Sequence, residues 1–222
     1  MENGSQHPSR RRKAGILLTG LALSATVVLG AVALGGAFEG EPYPVADPAA
    51  TAEHLNGRVL AAYDALSLPD APVLNLQRSL GVRADVYRCH RRGFGGFLDN
   101  LSDSPPSEPR TAAIHASFTV TGLTHPQAVD AALRARQTLT GQGWKVVSYE
   151  ELDGLRLKLE PPNVGPGAVS GTVLVAYYDG NGFLEVSALA ECVRYPSDTP
   201  VDSDGEPEHL PSLSLPAQVR RP

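Results

Sequence analysis

Cysteine is scarce: Cys89 and Cys192 are the only two in 222 residues. Two thiols exclude a disulfide-dense scaffold and a four-cysteine metal site. Lysine is almost as rare, with three residues against 16 arginines, a skew that with abundant alanine points to a GC-rich genome and carries no chemistry. Aromatic residues reach only 6% and charged residues 19%, and the net charge of −5 argues against general nucleic-acid binding. Reaction motifs are lacking too. No Gly-x-Ser-x-Gly elbow occurs. His7, His54, His90, His115, His125 and His209 include no pair at i, i+3 or i, i+4, so no helical metal pair exists. Gly93-Phe94-Gly95-Gly96-Phe97 has glycines without the Lys-Ser/Thr sequel of a phosphate loop. These absences predict no cofactor, no metal and no catalytic residue.

What is present is uneven. Residues 1–13 carry Arg10, Arg11, Arg12 and Lys13 against the single acid Glu2. Residues 14–38 form a 25-residue run without a charge. As a helix that run would be about 37 Å long, enough to span a hydrocarbon core of about 30 Å with some tilt. A cleaved secretory signal competes, with small-residue sites at Ala31-Val32-Ala33 and Leu34-Gly35-Gly36-Ala37. The run exceeds the ~7–15 residues of a signal's apolar region, which favours an uncleaved anchor. Either way the basic flank holds the N-terminus in the cytoplasm and sends the acidic remainder outside.

Residues 39–47 read as a linker with Pro42 and Pro44. Asp47-Pro48 opens a helix, and Leu55, Val59, Tyr63 and Leu66 set its apolar face over 48–66. Residues 84–89 read as a strand, and 93–109 as a long irregular segment. Ile114, Ala116, Phe118 and Val120 alternate with His115, Ser117, Thr119 and Thr121, the pattern of a half-buried antiparallel strand. Thr124-His125-Pro126-Gln127 predicts a capping box, with a helix ending at Gly141 or Gly143. Four strands follow in a meander, with turns at Asp153-Gly154 and at Asp179-Gly180-Asn181-Gly182. The expected fold is α+β: one N-terminal transmembrane helix, then an exported domain over 48–195 with a mostly antiparallel sheet and helices on one face. Residues 196–222 carry six prolines, and 197–208 five acids and no base, which predicts a disordered tail.

Three groups of residues stand out as sites. Cys89-His90 lies among Arg88, Arg91 and Arg92. The cluster reads as an anion site or activated thiol, or as a half-cystine flanked by solvated arginines. An exported chain with two cysteines usually pairs them, so a Cys89–Cys192 disulfide is expected, with both cysteines in strands. Arg88, Arg91, Arg92, Phe94 and Phe97 form a candidate partner surface, directed at a protein or at the membrane. Glu150-Glu151-Asp153 is a carboxylate run beside a turn, where acids are ordinarily just hydrated. A fourth candidate is the open sheet face of His115, Ser117, Thr119, Arg156, Lys158, Glu185, Ser187 and Glu191, read either as a docking surface or as the solvated side of a sheet.

The basic cluster, the single apolar segment, the helix ending in Gly141-Gln142-Gly143-Trp144, the Asp153-Gly154 hairpin and the late strand ending in Cys192 before Pro196 resemble uncharacterised small membrane-anchored envelope proteins of actinobacteria. The resemblance covers roughly residues 10–194. It implies a location at the cell membrane and this general architecture, and it supplies no catalytic residues. The functional expectation is a single-pass, extracytoplasmic, non-enzymatic module that binds an envelope protein or cell-wall component. The alternatives are an envelope hydrolase assembled from separated loops that include His90 and His115, and a secreted protein after signal cleavage.

Overall fold

The computed structural model describes residues 40–68, 72–99, 101–103, 105–152, 154–162, 170–180, 182–216 and 219. The expected basic tail and transmembrane helix at 1–38 lie outside these residues, as do Asp153 and Asn181 of the two turns. Among the described residues no helix is long and apolar enough to cross a membrane. The chain divides into two units. One comprises residues 43–90 and 106–222, and the other comprises 1–42 and 91–105.

The larger unit is α+β. Helix α1 spans Pro48–Leu66. Asp47 caps it, its Oδ1 accepting from the Ala50 N–H at 2.7 Å. Pro48 at the first helical position loses no hydrogen bond there. Ser67 ends the helix in the left-handed region at φ +49°. The strands are β1 (Val73–Leu74), β2 (Gly81–Asp85), β3 (Thr111–Thr121), β4 (Lys145–Glu150), β5 (Leu155–Glu160), β6 (Gly171–Tyr178), β7 (Phe183–Ala190) and β8 (Val193–Arg194). They form one sheet in the order β1-β3-β7-β6-β5-β4, with β2 and β8 also paired to β3 and every pairing antiparallel. The short helix α2 (Gly93–Asp99) belongs to the smaller unit, and two helices cover one face of the sheet, α1 and α3 (His125–Gly141).

The core lies between these layers. Ile114, Ala116, Phe118 and Val120 of β3 face it, as do Leu155, Leu157 and Leu159 of β5. Val173 and Val175 of β6 and Leu184, Val186 and Ala188 of β7 complete the sheet's contribution. The α1 face supplies Leu55, Val59, Tyr63 and Leu66, with Tyr63 tilted against the Phe118 ring at 5.3 Å. The α3 face is mostly alanine, at positions 128, 131, 132 and 135, which lets that helix approach closely. Gln127 Oε1 accepts from the Thr124 N–H at 2.8 Å, giving the expected capping box.

Two segments differ from the sequence reading. The strand expected over 84–89 stops at Asp85 and turns into a 3₁₀ turn, Val86–Arg88. The β2–β3 ladder ends at the Asp85–Ala113 pair, although β3 itself begins two residues earlier at Thr111. The irregular segment expected over 93–109 contains a helix, α2 (Gly93–Asp99), in the smaller unit. Of the expected tail, residues 217, 218 and 220–222 lie outside the described residues, and 196–216 make specific contacts. Arg110 Nη2 donates to the carbonyls of Pro196 and Thr199, Val201 bridges Pro207, and the Ser214 N–H donates to Asn56 Oδ1 on α1. Leu210, Leu213 and Leu215 pack on the core. Hydrogen-bonding partners from distant parts of the chain offset an ordering cost that local composition cannot meet.

Candidate functional site

Cys89 and Cys192 form a disulfide across 103 positions, with Cα atoms 5.8 Å apart. Neither cysteine lies inside a strand, contrary to expectation. Cys89 follows the 3₁₀ turn, and Cys192 sits in the two-residue break between β7 and β8. Cys89 is fully buried. Its carbonyl accepts from the Glu108 N–H at 2.6 Å, and His90 bridges Ser107 antiparallel.

The pairing registers place seven of the eight expected polar residues on the sheet face opposite the helices. Glu191 falls past the end of β7. One cross-strand row reads Arg83, His115, Leu189, Thr172. The next reads Ser117, Ser187, Leu174, Lys158, Ser148. A third reads Thr119, Glu185, Ala176, Arg156, Glu150. The face is not uniformly open. Ser117, Thr119 and Ser187 are buried, whereas Arg83, Glu150, Arg156 and Lys158 are exposed. The segment between β1 and β2 accounts for part of this. Thr119 Oγ1 donates to the Arg78 carbonyl at 3.3 Å, the Thr119 N–H donates to Ser79 Oγ at 3.1 Å, and Arg78 lies 4.5 Å over the Phe183 ring. The remaining open part is a mixed-charge strip on β4 and β5 with half-buried Leu174 beside it.

His115 sits at the β2–β3 end of this face. Burial, the charges of Arg83 and Arg88 and a smaller opposing influence of Asp85 leave its imidazole with a pKa lowered to about 4. It is neutral at neutral pH. His115 Nδ1 and His90 Nδ1 are both buried and have no hydrogen-bond partner among the described residues.

The expected partner surface is split between the units. Arg88 belongs to the larger one, and Arg91, Arg92, Phe94 and Phe97 to the smaller. Arg91 reaches Asp99 at 3.9 Å, and Arg92 donates to the Glu41 carbonyl at 3.5 Å. Of the acidic run, Glu150 and Glu151 are exposed, and Glu151 accepts from the Tyr149 hydroxyl. One polar pair escaped the sequence reading: His125 Nδ1 lies 2.6 Å from Asp179 Oδ1, with the imidazole edge-on to Tyr177. The partners are 54 positions apart, and no local pattern announces them. Among the described residues no group of three His, Cys, Asp or Glu side chains could hold a metal ion.

No family model, no curated protein and no solved structure matches this chain.

Proposed function

We propose that the chain is a single-pass membrane protein of the cell envelope, N-terminus cytoplasmic, whose exported α+β domain is a non-enzymatic module binding an envelope protein or cell-wall component. The apolar run at 14–38 behind four basic residues supports the topology. The Cys89–Cys192 disulfide supports an oxidising compartment. The observation that carries the binding role is the mixed-charge strip of Glu150, Arg156 and Lys158 on the uncovered side of a sheet whose other side is sealed by helices.

Two experiments test this reading. Protease added to intact spheroplasts should remove everything after about residue 40, and N-terminal sequencing should recover Met1 or Glu2. A mature protein that begins near Leu34 or Phe38 and is found in the medium replaces the anchor with a secreted product. A photo-crosslinking side chain at Arg156 should give one discrete adduct in cells, abolished by reversing the charges of Glu150 and Lys158. A crosslinker at Leu133 on α3, also exposed, should not give that adduct.

The hydrolase reading draws on one specific observation, the two buried imidazole nitrogens of His90 and His115 without partners among the described residues. It requires that replacing either histidine abolish a hydrolytic activity of the purified domain without changing its melting temperature.

A further inference from the structure

Helix α2 is built inside out for a helix on the surface of a water-soluble domain. Phe94, Phe97, Leu98 and Leu101 stand at i, i+3, i+4 and i+7, the spacing of one helical face. The Leu101 N–H donates to the Leu98 carbonyl at 3.2 Å, so the turn carries Leu101 on past Asp99. These four side chains are 56%, 59%, 46% and 71% exposed. The Phe94 and Phe97 rings stack at 6.3 Å. The inward position belongs to Gly96, where a Cβ would meet the Arg91 carbonyl oxygen at 1.9 Å. The glycine side is thus packed and the aromatic side faces out. Ordinary packing would put them the other way round.

The place of this face is set by Gly40. It takes φ +75°, and a Cβ there would lie 2.3 Å from the Gly93 nitrogen and 2.7 Å from the Arg92 carbonyl carbon. Only glycine allows the linker to cross the start of α2 so closely. Arg92 adds its bond to the Glu41 carbonyl. Gly40 stands two residues beyond the end of the uncharged run at Phe38. On the anchored reading above, a helix clamped to residues 40 and 41 is held next to the point where the chain leaves the bilayer.

We propose that α2 is an interfacial membrane-docking element: Phe94, Phe97, Leu98 and Leu101 insert into the outer leaflet beside the anchor. This rests on the anchored reading above. The attraction is apolar. Between residues 91 and 103 two arginines are matched by Asp99 and Asp103, and Arg91 already faces Asp99. Amphipathic helices in the interface hold by buried apolar area plus any electrostatic attraction, and here only the first operates.

The test uses the full chain reconstituted in phosphatidylcholine vesicles with brominated acyl chains. Phe97→Trp and Leu101→Trp report on α2, and Val28→Trp reports on the apolar run. Trp144, buried in the larger unit, is subtracted as background from the unsubstituted chain. Expected is loss of at least half of the added emission in both α2 variants, unchanged when phosphatidylglycerol is included. If Val28→Trp is quenched while both α2 variants are quenched only by aqueous acrylamide, the docking is wrong and the anchor stands. Shielding of both α2 variants from bromine and acrylamide alike overturns docking in favour of a second copy or another protein. If none of the three is quenched by bromine, anchor and docking both fall. Quenching of the α2 variants without that of Val28→Trp overturns docking beside an anchor, since no span is then there to place α2. A gain in quenching that appears only with phosphatidylglycerol overturns the apolar mode.

Discussion

Arg110 holds Pro196: one guanidinium nitrogen donates to its carbonyl at 2.6 Å and to that of Thr199 at 2.9 Å. The arginine that leads into β3 with a left-handed backbone thus also fastens the C-terminal segment. Arg110→Ala should cost about 1–3 kcal/mol, since bonds from a charged donor are lost and two carbonyls are left without it. Limited proteolysis should then cut first within 196–216. Unchanged cleavage with an unchanged melting temperature would show that the leucines alone hold the segment.

The disulfide should be a large part of the domain's stability. A loop of about a hundred residues corresponds to about 4–5 kcal/mol in the chain-entropy description. Against a typical total of about 5–15 kcal/mol, Cys89→Ala with Cys192→Ala should lower the urea midpoint strongly. A shift no larger than that of an ordinary surface substitution would contradict this.

His115 makes stability depend on pH. Its imidazole titrates near 6.5 when unfolded and about 4 when folded. Between those values the unfolded chain binds more protons, so its contribution is full above about pH 6.5 and is lost as pH falls toward 4. The loss should be on the order of 2 kcal/mol, reduced by the partial exposure of the ring. His115→Gln should flatten the difference in unfolding free energy between about pH 7 and about pH 5. An equal slope in both proteins would place the pH dependence elsewhere.

Gly154 should not tolerate a side chain. It sits at φ +131°, and a Cβ would come 2.3 Å from the Tyr177 carbonyl oxygen on the neighbouring strand. Backbone cannot yield as a flexible side chain can, so Gly154→Ala should cost about 2 kcal/mol or more. Amide exchange should speed up first along β5. Wild-type exchange in the variant would mean that the turn relaxes without cost.

Much of the fold is written locally. Asp47-Pro48 and the spacing of Leu55, Val59, Tyr63 and Leu66 mark α1 to the residue. The alternation from Ile114 to Val120 marks β3, and the Asp179 turn joins β6 to β7 as its residues require. What stayed hidden depends on partners far along the chain. Glycine costs a helix about 1 kcal/mol relative to alanine, so three glycines disguise α2. Ser117 and Thr119 alternate as a solvated row should, yet the β1–β2 segment closes over Thr119. The His125–Asp179 pair and the seating of 196–216 depend on residues brought together only by the sheet.

One junction gives the molecule a mechanical character. The segment entering the larger unit lies along β8: the Ala46 N–H donates to the Arg194 carbonyl at 3.0 Å, the Arg194 N–H to the Pro44 carbonyl at 2.9 Å, and Val45 and Arg194 form a parallel bridge. Two residues before Arg194 stands Cys192, tied to Cys89. Tension pulled through residue 43 is delivered to β8 beside a covalent staple. Under load, the region between Cys89 and Cys192 cannot pay out as extended chain. A single-molecule trace should therefore lengthen by much less than a 222-residue polymer would, and reduction should release the missing contour.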